Sequence, residues 1–215
     1  MNIENQRAEN NDPDVGLAAR IRLGASLEQA TALPEDSACA AAAQSLVEAG
    51  LSFRKALRAG DIPLIRELVQ ETGVFSGGEV ALAEELLLEG YRQGASGYYQ
   101  FLIAERSGNI EGYVCFAQIG GTIGSFEAYW IAVRKESQGT GIGRRLMAEL
   151  EDMVRQAGGK RVFVGTSSRA EYDGARRFYA REGYSRAAVI EDFFDVGDHE
   201  VYFVKRLEGL SRGRV

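Results

Sequence analysis

The spacing of apolar residues changes along the chain and predicts a succession of helices and strands. Ile142, Leu146, Leu150 and Val154 recur every four positions, as expected for a helix that packs one face on a sheet. Short apolar runs bounded by turn residues predict strands instead. The predicted strands cover residues 51–57, 98–104, 110–118, 126–133, 162–164, 186–194 and 200–205, and the other predicted helices cover residues 61–71 (with Asp61 as cap), 79–93 and 171–181. This order, β-α-α-β-β-β-α-β-α-β-β, predicts one mixed α/β domain of roughly 150 residues.

The segments that flank this domain differ from it in composition. Residues 1–50 carry 8 acidic and 3 basic residues and an alanine-rich stretch, which predicts an extension that is partly disordered or helical. Residues 51–207 form the predicted domain, and residues 208–215 form a short tail. The extension is compatible with a partner-binding or regulatory arm.

Composition and charge exclude several classes of function. The net charge of −6 lies almost wholly in residues 1–50, and the rest of the chain lacks the basic excess of a nucleic-acid binder. Two cysteines and one histidine offer neither a disulfide framework nor the spacing of a metal site. No apolar run approaches the ~20 residues of a membrane span, and the first residues are too polar for a signal peptide. We therefore expect a cytoplasmic protein with no metal, nucleic-acid or membrane partner, and a homodimer is compatible with the sequence.

A glycine-rich stretch after the fourth predicted strand is the strongest chemical signal in the chain. Gly139, Gly141 and Gly143 alternate and lead directly into the helical stripe that begins at Ile142. Glycine lets backbone N–H groups approach a ligand, and a helix N-terminus adds unpaired donors and a partial positive charge. The stretch therefore predicts a phosphate-binding loop, with a plain strand-to-helix turn as the alternative.

Spacing excludes two familiar phosphate-binding loops. The Walker motif requires Lys and then Ser or Thr after its last glycine, whereas two arginines follow Gly143. The dinucleotide motif requires a glycine at position 144 and an acidic residue on the next strand, and residues 161–168 contain no acid. The pattern that fits is Gln/Arg-x-x-Gly-x-Gly, which Gln138, Gly141 and Gly143 satisfy.

This pattern and a second one downstream resemble those of the GNAT superfamily of N-acetyltransferases. Residues 175–184 read Ala-Arg-Arg-Phe-Tyr-Ala-Arg-Glu-Gly-Tyr and are similar to the family's Ala-x-x-Phe/Leu-Tyr-x-x-x-Gly-Phe/Tyr signature. The two motifs occur in the family's order, and the resemblance covers roughly residues 52–206. It implies a mixed α/β (α+β) fold, with a mostly antiparallel sheet of six to seven strands flanked by helices. In this fold strands four and five splay apart.

The resemblance implies acetyl-CoA as the donor co-substrate and assigns its binding site. The backbone N–H groups of the glycine loop would hold the CoA pyrophosphate, with Arg144 or Arg145 near its charged end. Backbone groups of the fourth strand would pair with the pantetheine arm like an added strand. The implied donor-site residues are Ile131, Ala132, Val133, Gln138, Gly139, Thr140, Gly141, Ile142, Gly143, Arg144, Arg145, Ser167 and Tyr172.

One position departs from the family pattern. Many members carry Asn seven residues before the tyrosine of the second motif, where its amide contacts pantetheine, and this chain has Tyr172 there. Either Tyr172 makes a different contact or the contact is lost. The hydroxyls of Thr166, Ser167 and Ser168 are candidate substitutes. Arg169, beside them, is a candidate partner for an acceptor carboxylate or a plain surface residue.

Glu127 is the candidate general base. A lysine-like amine has a pKa near ~10.4 and an α-amine one near ~8, so the acceptor must lose a proton before it attacks. Glu127 lies six residues before Val133, which is the offset of the catalytic glutamate in the histone-acetyltransferase branch of the family. Strand alternation would place one set of side chains on a single face: Glu127, Tyr129, Ile131 and Val133. The alternative is a strand-end glutamate that faces solvent.

Tyr179 matches the family's general acid, which protonates or hydrogen-bonds the departing thiolate. Proton transfer from a phenol with a pKa near ~10 to a thiolate with a pKa near ~8.5 is energetically unfavourable. Tyr179 could therefore either transfer its proton fully or only hydrogen-bond the thiolate. The alternative is an amphipathic core tyrosine that packs beside Phe178.

The leading hypothesis is an N-acetyltransferase that moves an acetyl group directly from acetyl-CoA to a primary amine in a ternary complex. The acceptor is a small-molecule amine or an amine of a protein, and the acidic hairpin of residues 191–198 suits a cationic one. The alternative is a non-catalytic acyl-CoA-binding or regulatory interaction module that keeps the loop without the chemistry.

Overall fold

A seven-stranded sheet forms the centre of the molecule. The computed structural model describes residues 50–207, so the predicted N-terminal extension and C-terminal tail lie outside the described residues. The strands are β1 Leu51–Arg54, β2 Gln100–Arg106, β3 Asn109–Gln118, β4 Ser125–Val133, β5 Arg161–Ser167, β6 Ser185–Asp195 and β7 Asp198–Arg206. The helices are α1 Asp61–Glu71, α2 Gly77–Gln93, α3 Ile142–Gln156 and α4 Asp173–Arg181. This order confirms the predicted one.

The ends of several elements differ from the prediction for local reasons. Helix α2 begins two residues early because the Ser76 side chain accepts from the Glu79 N–H while the Glu79 carboxylate accepts from the Ser76 N–H. Helix α1 has Gly60 at its N-cap, so the prediction of Asp61 as the cap is wrong. The Asp61 carboxylate instead accepts from the Arg58 N–H (2.6 Å) and pairs with the Arg54 guanidinium.

The order of strands in the sheet is β1-β2-β3-β4-β5-β7-β6, and every pair is antiparallel except β4 with β5. That parallel pair is short: it ends at Glu127 and Phe163. Beyond these residues β4 continues to Val133 and β5 to Ser167, and among residues 50–207 each pairs only with the strand on its other side. The sheet is therefore splayed between its fourth and fifth strands, as predicted.

Each face of the sheet carries its own apolar core. Helices α3 and α4 cover one face, and the predicted stripe of Ile142, Leu146, Leu150 and Val154 is buried there. Helices α1 and α2 cover the other face, over β2, β3 and β4. These are called the α3/α4 face and the α1/α2 face below. Within residues 50–207, no helix is both long enough and apolar enough to cross a membrane.

A β-bulge in β4 changes the direction in which its side chains point. Cys115 of β3 pairs with Trp130, and the next residue, Phe116, pairs with Ala128. Tyr129 is therefore an extra residue in β4, opposite no residue of β3. An extra residue shifts the alternation of the strand by one position.

The bulge corrects one prediction from the sequence. Glu127, Tyr129, Ile131 and Val133 do not share a face, because Ile131 and Val133 lie in the α3/α4 core and Tyr129 lies in the α1/α2 core. Glu127 points to the same side as Tyr129, since both of its neighbours in the chain lie in the α3/α4 core. Strict alternation fails here because the sheet pairing, which the sequence does not reveal, places the extra residue.

Buried tyrosines make the stability of the protein sensitive to alkali. Among residues 50–207, burial raises the pKa of five phenols: Tyr99, Tyr113, Tyr129, Tyr179 and Tyr184. The unfolded chain ionises these phenols near pH ~10 and the folded chain does not, so ionisation favours unfolding. We expect the free energy of unfolding to fall above pH ~10, by up to about 1.4 kcal/mol per pH unit for each tyrosine.

Urea denaturation on both sides of this pH measures the effect. The Tyr113→Phe variant should lose one tyrosine's share of the slope, which separates the phenols from other alkaline effects. A free energy of unfolding that stays level through pH ~10 would contradict this prediction.

Candidate functional site

The glycine loop joins β4 to α3 in the conformation that a phosphate cradle needs. Gly139 and Gly141 have φ values of 74° and 89°, in the left-handed region that favours glycine. Gly141 is the N-cap of α3, and within the described residues no side chain caps this helix. Apart from its chain neighbours, no atom of the described residues lies within 4 Å of the position that a Cβ on Gly141 would occupy. The first N–H groups of α3 have no carbonyl partner in their own helix, and the backbone at Gly141 leaves the space beside them open.

Two side chains of the loop hold its shape rather than face a ligand. The Gln138 side chain donates to the Val133 carbonyl (3.1 Å), and its backbone N–H donates to the Lys135 carbonyl. The Thr140 hydroxyl donates to the Ser137 carbonyl (2.6 Å). These bonds tie the loop to the end of β4, and none of them uses an N–H group from residue 139 onward.

The two arginines after the loop take different positions. The Arg144 side chain is 69% exposed, and its Nε lies 3.8 Å from a carboxylate oxygen of Glu182. The Arg145 guanidinium lies over the Phe53 ring, 5.0 Å from the ring centroid. Arg144 therefore remains the more accessible cation at this helix end.

The open edge of β4 continues from the loop into the splay. Ile131, Ala132 and Val133 pair with β3 on one side, and on the side that faces β5 no strand of residues 50–207 pairs with them. Their backbone can accept an extended ligand on that side, as an added strand would bind. The glycine loop and this edge, which begins after Glu127, follow each other along the chain and are together called the groove below.

Tyr179 lies on the α3/α4 face with its hydroxyl buried. Its side chain is 0% exposed, and its ring packs against those of Phe178, Tyr184 and Phe203. The hydroxyl has no hydrogen-bond partner within residues 50–207. Burial raises the pKa of this phenol well above its ordinary value. A buried hydroxyl without a partner is costly, so it marks a place where a ligand atom is expected.

Glu127 lies at the point where β4 and β5 separate. Its side chain is 3% exposed and points to the α1/α2 side, and its Oε1 lies 3.5 Å from the Tyr202 hydroxyl of β7. Tyr202 passes over Gly165 of β5, where an added Cβ would come 3.4 Å from its ring. The Glu127 carboxylate and the Tyr179 ring thus lie on opposite sides of the sheet.

A cluster of tyrosines lies beside Glu127. The Tyr98 and Tyr129 hydroxyls lie 3.2 Å apart, and the Tyr99 ring packs edge-on against that of Tyr129. Burial, the hydrogen bond with Tyr98 and the charge of Glu127 raise the pKa of Tyr129. Alternation along β4 predicts Tyr129 on the face of Glu127, and the structure has it there. The sequence reasoning missed Tyr98, Tyr99 and Tyr202, and no local motif could have indicated Tyr202 because it comes from β7.

Two of the predicted donor-site hydroxyls are engaged within the protein. The Ser167 hydroxyl donates to the Asp198 carboxylate and accepts from the Arg169 N–H. The Tyr172 hydroxyl donates to a carboxylate oxygen of Glu79 on α2 (3.3 Å). Ser167 is bonded to β7 and Tyr172 to α2, so the hydroxyls of both side chains already have protein partners.

The acidic hairpin occupies the edge of the sheet formed by β6 and β7. Most of its residues are exposed, and Asp198 is buried beside Ser167. His199 Nδ1 on β7 accepts from the Asp192 N–H on β6 (2.9 Å), and this bond ties the two strands of the hairpin together. Within the described residues, no three His, Cys, Asp or Glu side chains are grouped to hold a metal ion.

Comparisons with known proteins agree with this geometry. The model of the acetyltransferase (GNAT) domain matches residues 97–186, which include the glycine loop and Tyr179. The N-alpha-acetyltransferase RimI of Mycobacterium tuberculosis is 31% identical over 119 residues, which are 55% of this chain and 72% of that protein. A GNAT-family protein from Desulfovibrio desulfuricans is 35% identical, with a TM-score of 0.71 over 74% of this chain and 99% of its own.

A third relative carries the ligand. A Salmonella typhimurium structure with acetyl-CoA as its cofactor is 19% identical and has a TM-score of 0.55, over 77% of this chain and 98% of its own. This chain belongs to the GNAT family of acetyltransferases, in which acetyl-CoA-dependent acetyl transfer is general.

Replacing Gly141 with Ala is expected to raise the Kd for CoA about tenfold. The left-handed φ of Gly141 costs a non-glycine residue about 1–2 kcal/mol, and the new Cβ stands beside the first N–H groups of α3. Gly121→Ala is the matched control, because Gly121 also has a positive φ and open space around it but lies in the β3–β4 loop at the far end of β4. Both variants should lose similar stability, and only the first should lose affinity in calorimetry. Equal CoA affinities would contradict the loop assignment.

Proposed function

We propose that this protein transfers the acetyl group of acetyl-CoA directly to a primary amine in a ternary complex. One observation carries the proposal: a buried carboxylate lies where β4 and β5 separate, and a buried phenol without a partner within residues 50–207 lies on the opposite face of the sheet. The first can take a proton from an amine, and the second can bind a sulfur anion. A molecule that only binds acyl-CoA needs neither group.

The donor fits the groove by its chemistry. The N–H groups of the glycine loop suit a pyrophosphate, and the open edge of β4 suits the amides of the pantetheine arm. An arm bound along this edge leads its thioester toward the splay, where the Tyr179 hydroxyl lacks a partner within the described residues. The donor provides an activated acetyl group, and the protein holds that group in place.

Glu127 acts on the acceptor. The amine approaches from the α1/α2 side, and Glu127 takes one of its protons, directly or through a water molecule. The amine nitrogen then forms a bond with the thioester carbonyl carbon, and the carbon–sulfur bond breaks with its electron pair remaining on sulfur. The acetylated nitrogen then loses a second proton to solvent and becomes a neutral amide, and the first proton leaves from the Glu127 carboxylate.

Tyr179 acts on the leaving group from the α3/α4 side. Because burial raises the pKa of its phenol, Tyr179 keeps its proton more firmly than an exposed tyrosine does. Of the two roles left open by the sequence, hydrogen bonding of the thiolate is therefore favoured over full proton transfer. The thiolate takes its final proton from solvent after release.

The acceptor that we propose is a cationic primary amine, with the α-amino group of a polypeptide ranked first. The acceptor side holds Glu127 together with the hydroxyls of Tyr98, Tyr129 and Tyr202, which suits an ammonium group. An α-amine has a pKa near ~8, so it loses its proton more easily than a lysine side chain does. RimI of Mycobacterium tuberculosis is by name an N-alpha-acetyltransferase.

Thiol release from acetyl-CoA across a panel of amines tests the proposal. The panel holds a lysine-free peptide with a free N-terminus, an N-terminally blocked peptide with one lysine, a polyamine and an aminoglycoside. Turnover on at least one of them, with acetylation of its amine seen by mass spectrometry, is the expected result. Thermal stabilisation by CoA without turnover would favour the non-catalytic acyl-CoA-binding module, and no stabilisation would overturn the donor assignment.

A further inference from the structure

The end of β5 holds a hydroxyl that the protein itself does not use. Four hydroxyls in this region are candidates to replace the family's asparagine contact. Three have protein partners: Ser167 with Asp198, Ser168 with the His199 N–H, and Tyr172 with Glu79. The fourth, Thr166 Oγ1, is buried, and no hydrogen-bond partner for it exists within residues 50–207.

Thr166 lies on the same face of the sheet as Tyr179. Val162 and Val164 of β5 belong to the α3/α4 core, and alternation carries Thr166 to that side. Phe203, the strand partner of Val164, packs its ring 5.8 Å from that of Tyr179. Thr166 is two residues farther along β5 than Val164, so the two hydroxyls that lack a partner within residues 50–207 belong to the same face of the sheet.

The position of Thr166 along β5 brings it to the splay. The pairing of β5 with β4 ends at Phe163, three residues earlier, and from there β5 is bonded only to β7. The Thr166 side chain is 0% exposed, so water does not compensate its hydroxyl. A buried hydroxyl without a partner is unfavourable unless a ligand supplies one.

We propose that Thr166 Oγ1 hydrogen-bonds the amide of the pantetheine arm nearest the thioester and so replaces the contact that Asn makes in many family members. This inference rests on the proposed function, because it needs CoA in the groove. A threonine hydroxyl can both donate and accept, so it suits either the N–H or the carbonyl of that amide. Together with Tyr179, it completes the wall that holds the reactive end of the donor.

The Thr166→Val variant separates this role from a structural one. Valine has the shape of threonine without the hydroxyl, so the free protein should keep or gain stability in urea denaturation. Its Kd for CoA should rise roughly three- to tenfold, the effect of one lost hydrogen bond. Thr166→Ser keeps the hydroxyl and should retain affinity near that of the wild type.

Two controls complete the experiment. Ser168→Ala removes a hydroxyl that accepts from the His199 N–H (2.9 Å), so it should lower stability and leave CoA affinity unchanged. Adenosine 3′,5′-bisphosphate, the nucleotide half of CoA without the arm, should bind wild type and Thr166→Val equally. Failure of the wild type to bind CoA would overturn both the proposed function and this inference. Normal CoA binding by Thr166→Val, or a loss of affinity that extends to the bisphosphate, would overturn this inference alone.

Discussion

Replacing Glu127 with Gln is expected to lower kcat/KM for the acceptor amine by roughly 10²–10⁴, the usual contribution of a positioned general base. Glutamine keeps the shape of glutamate and its contact with Tyr202 but takes no proton. The groove for the donor lies along β4 and the glycine loop, so the Kd for CoA should not change. Steady-state kinetics with the amine found by the panel, and calorimetry with CoA, measure the two quantities.

The pH dependence of this variant adds a second readout. Without the base, only the amine that is already neutral can react, so the residual rate should rise with pH and level off near the pKa of the acceptor. The plateau would lie near pH ~8 for an α-amine and near ~10.4 for a lysine side chain. The same profile therefore tests the base and the class of acceptor.

Glu151→Gln is the matched control for Glu127→Gln. Glu151 is also a buried carboxylate, but it lies on α3, where it accepts from Tyr184 and pairs with Lys205. Its replacement should lower the free energy of unfolding and leave the acceptor kinetics unchanged. Wild-type rates in the Glu127 variant would remove Glu127 from the mechanism and leave its contact with Tyr202 as a structural one.

Replacing Tyr179 with Phe is expected to lower kcat about 10- to 100-fold, while the KM for acetyl-CoA changes little. The hydroxyl acts when charge develops on sulfur, so its loss raises the barrier more than it weakens ground-state binding. The free protein should be no less stable than the wild type, because within residues 50–207 the hydroxyl has no partner to lose.

The raised pKa of Tyr179 also predicts how the reaction rate depends on pH in alkaline solution. An ordinary phenol would lose its proton near pH ~10 and cease to donate, whereas burial keeps this one neutral to higher pH. The wild-type rate should therefore show no loss from this group as pH rises toward ~10, wherever the protein stays folded. Rates measured with acceptor in excess, over a range in which circular dichroism is constant, check this expectation.

Tyr184→Phe is the control for Tyr179→Phe. The two rings are in contact, but the Tyr184 hydroxyl donates to Glu151 (3.1 Å). Its removal should lower stability and spare kcat, which is the opposite of the expected result for Tyr179. An unchanged kcat in Tyr179→Phe would make Tyr179 a core residue only.

Much of the fold followed from local patterns in the sequence. The four-residue apolar recurrence from Ile142 to Val154 predicts α3 because one helix face must be buried, and the structure buries that face. The order of all the described strands and helices followed from similar short-range signals. The ends of the elements followed less directly from the sequence. Helix α2 starts at Gly77 because of the hydrogen bonds between Ser76 and Glu79, and the spacing of apolar residues does not reveal these bonds.

The candidate site was only partly predictable. The glycine loop and the Phe178–Tyr179 motif are each contiguous in sequence, so they carried the GNAT resemblance, and that resemblance implied CoA. The surroundings of Glu127 come only in part from its own strand: alternation places Tyr129 beside it, whereas the bare backbone of Gly165 on β5 and the reach of Tyr202 from β7 follow from no local pattern. Such contacts depend on strand register, and no short motif encodes a register between distant segments.

The glycine loop is therefore a property of the sequence, because its glycines and the helix after them form it within a few residues. The tertiary structure decides which polar side chains remain available at the proposed site. Ser167 and Tyr172 had the right chemistry for the donor site, yet distant partners on β7 and α2 engage their hydroxyls. Tyr179 and Thr166 keep theirs unbonded within the described residues, because packing buries both on the α3/α4 face without bringing a protein partner to either one.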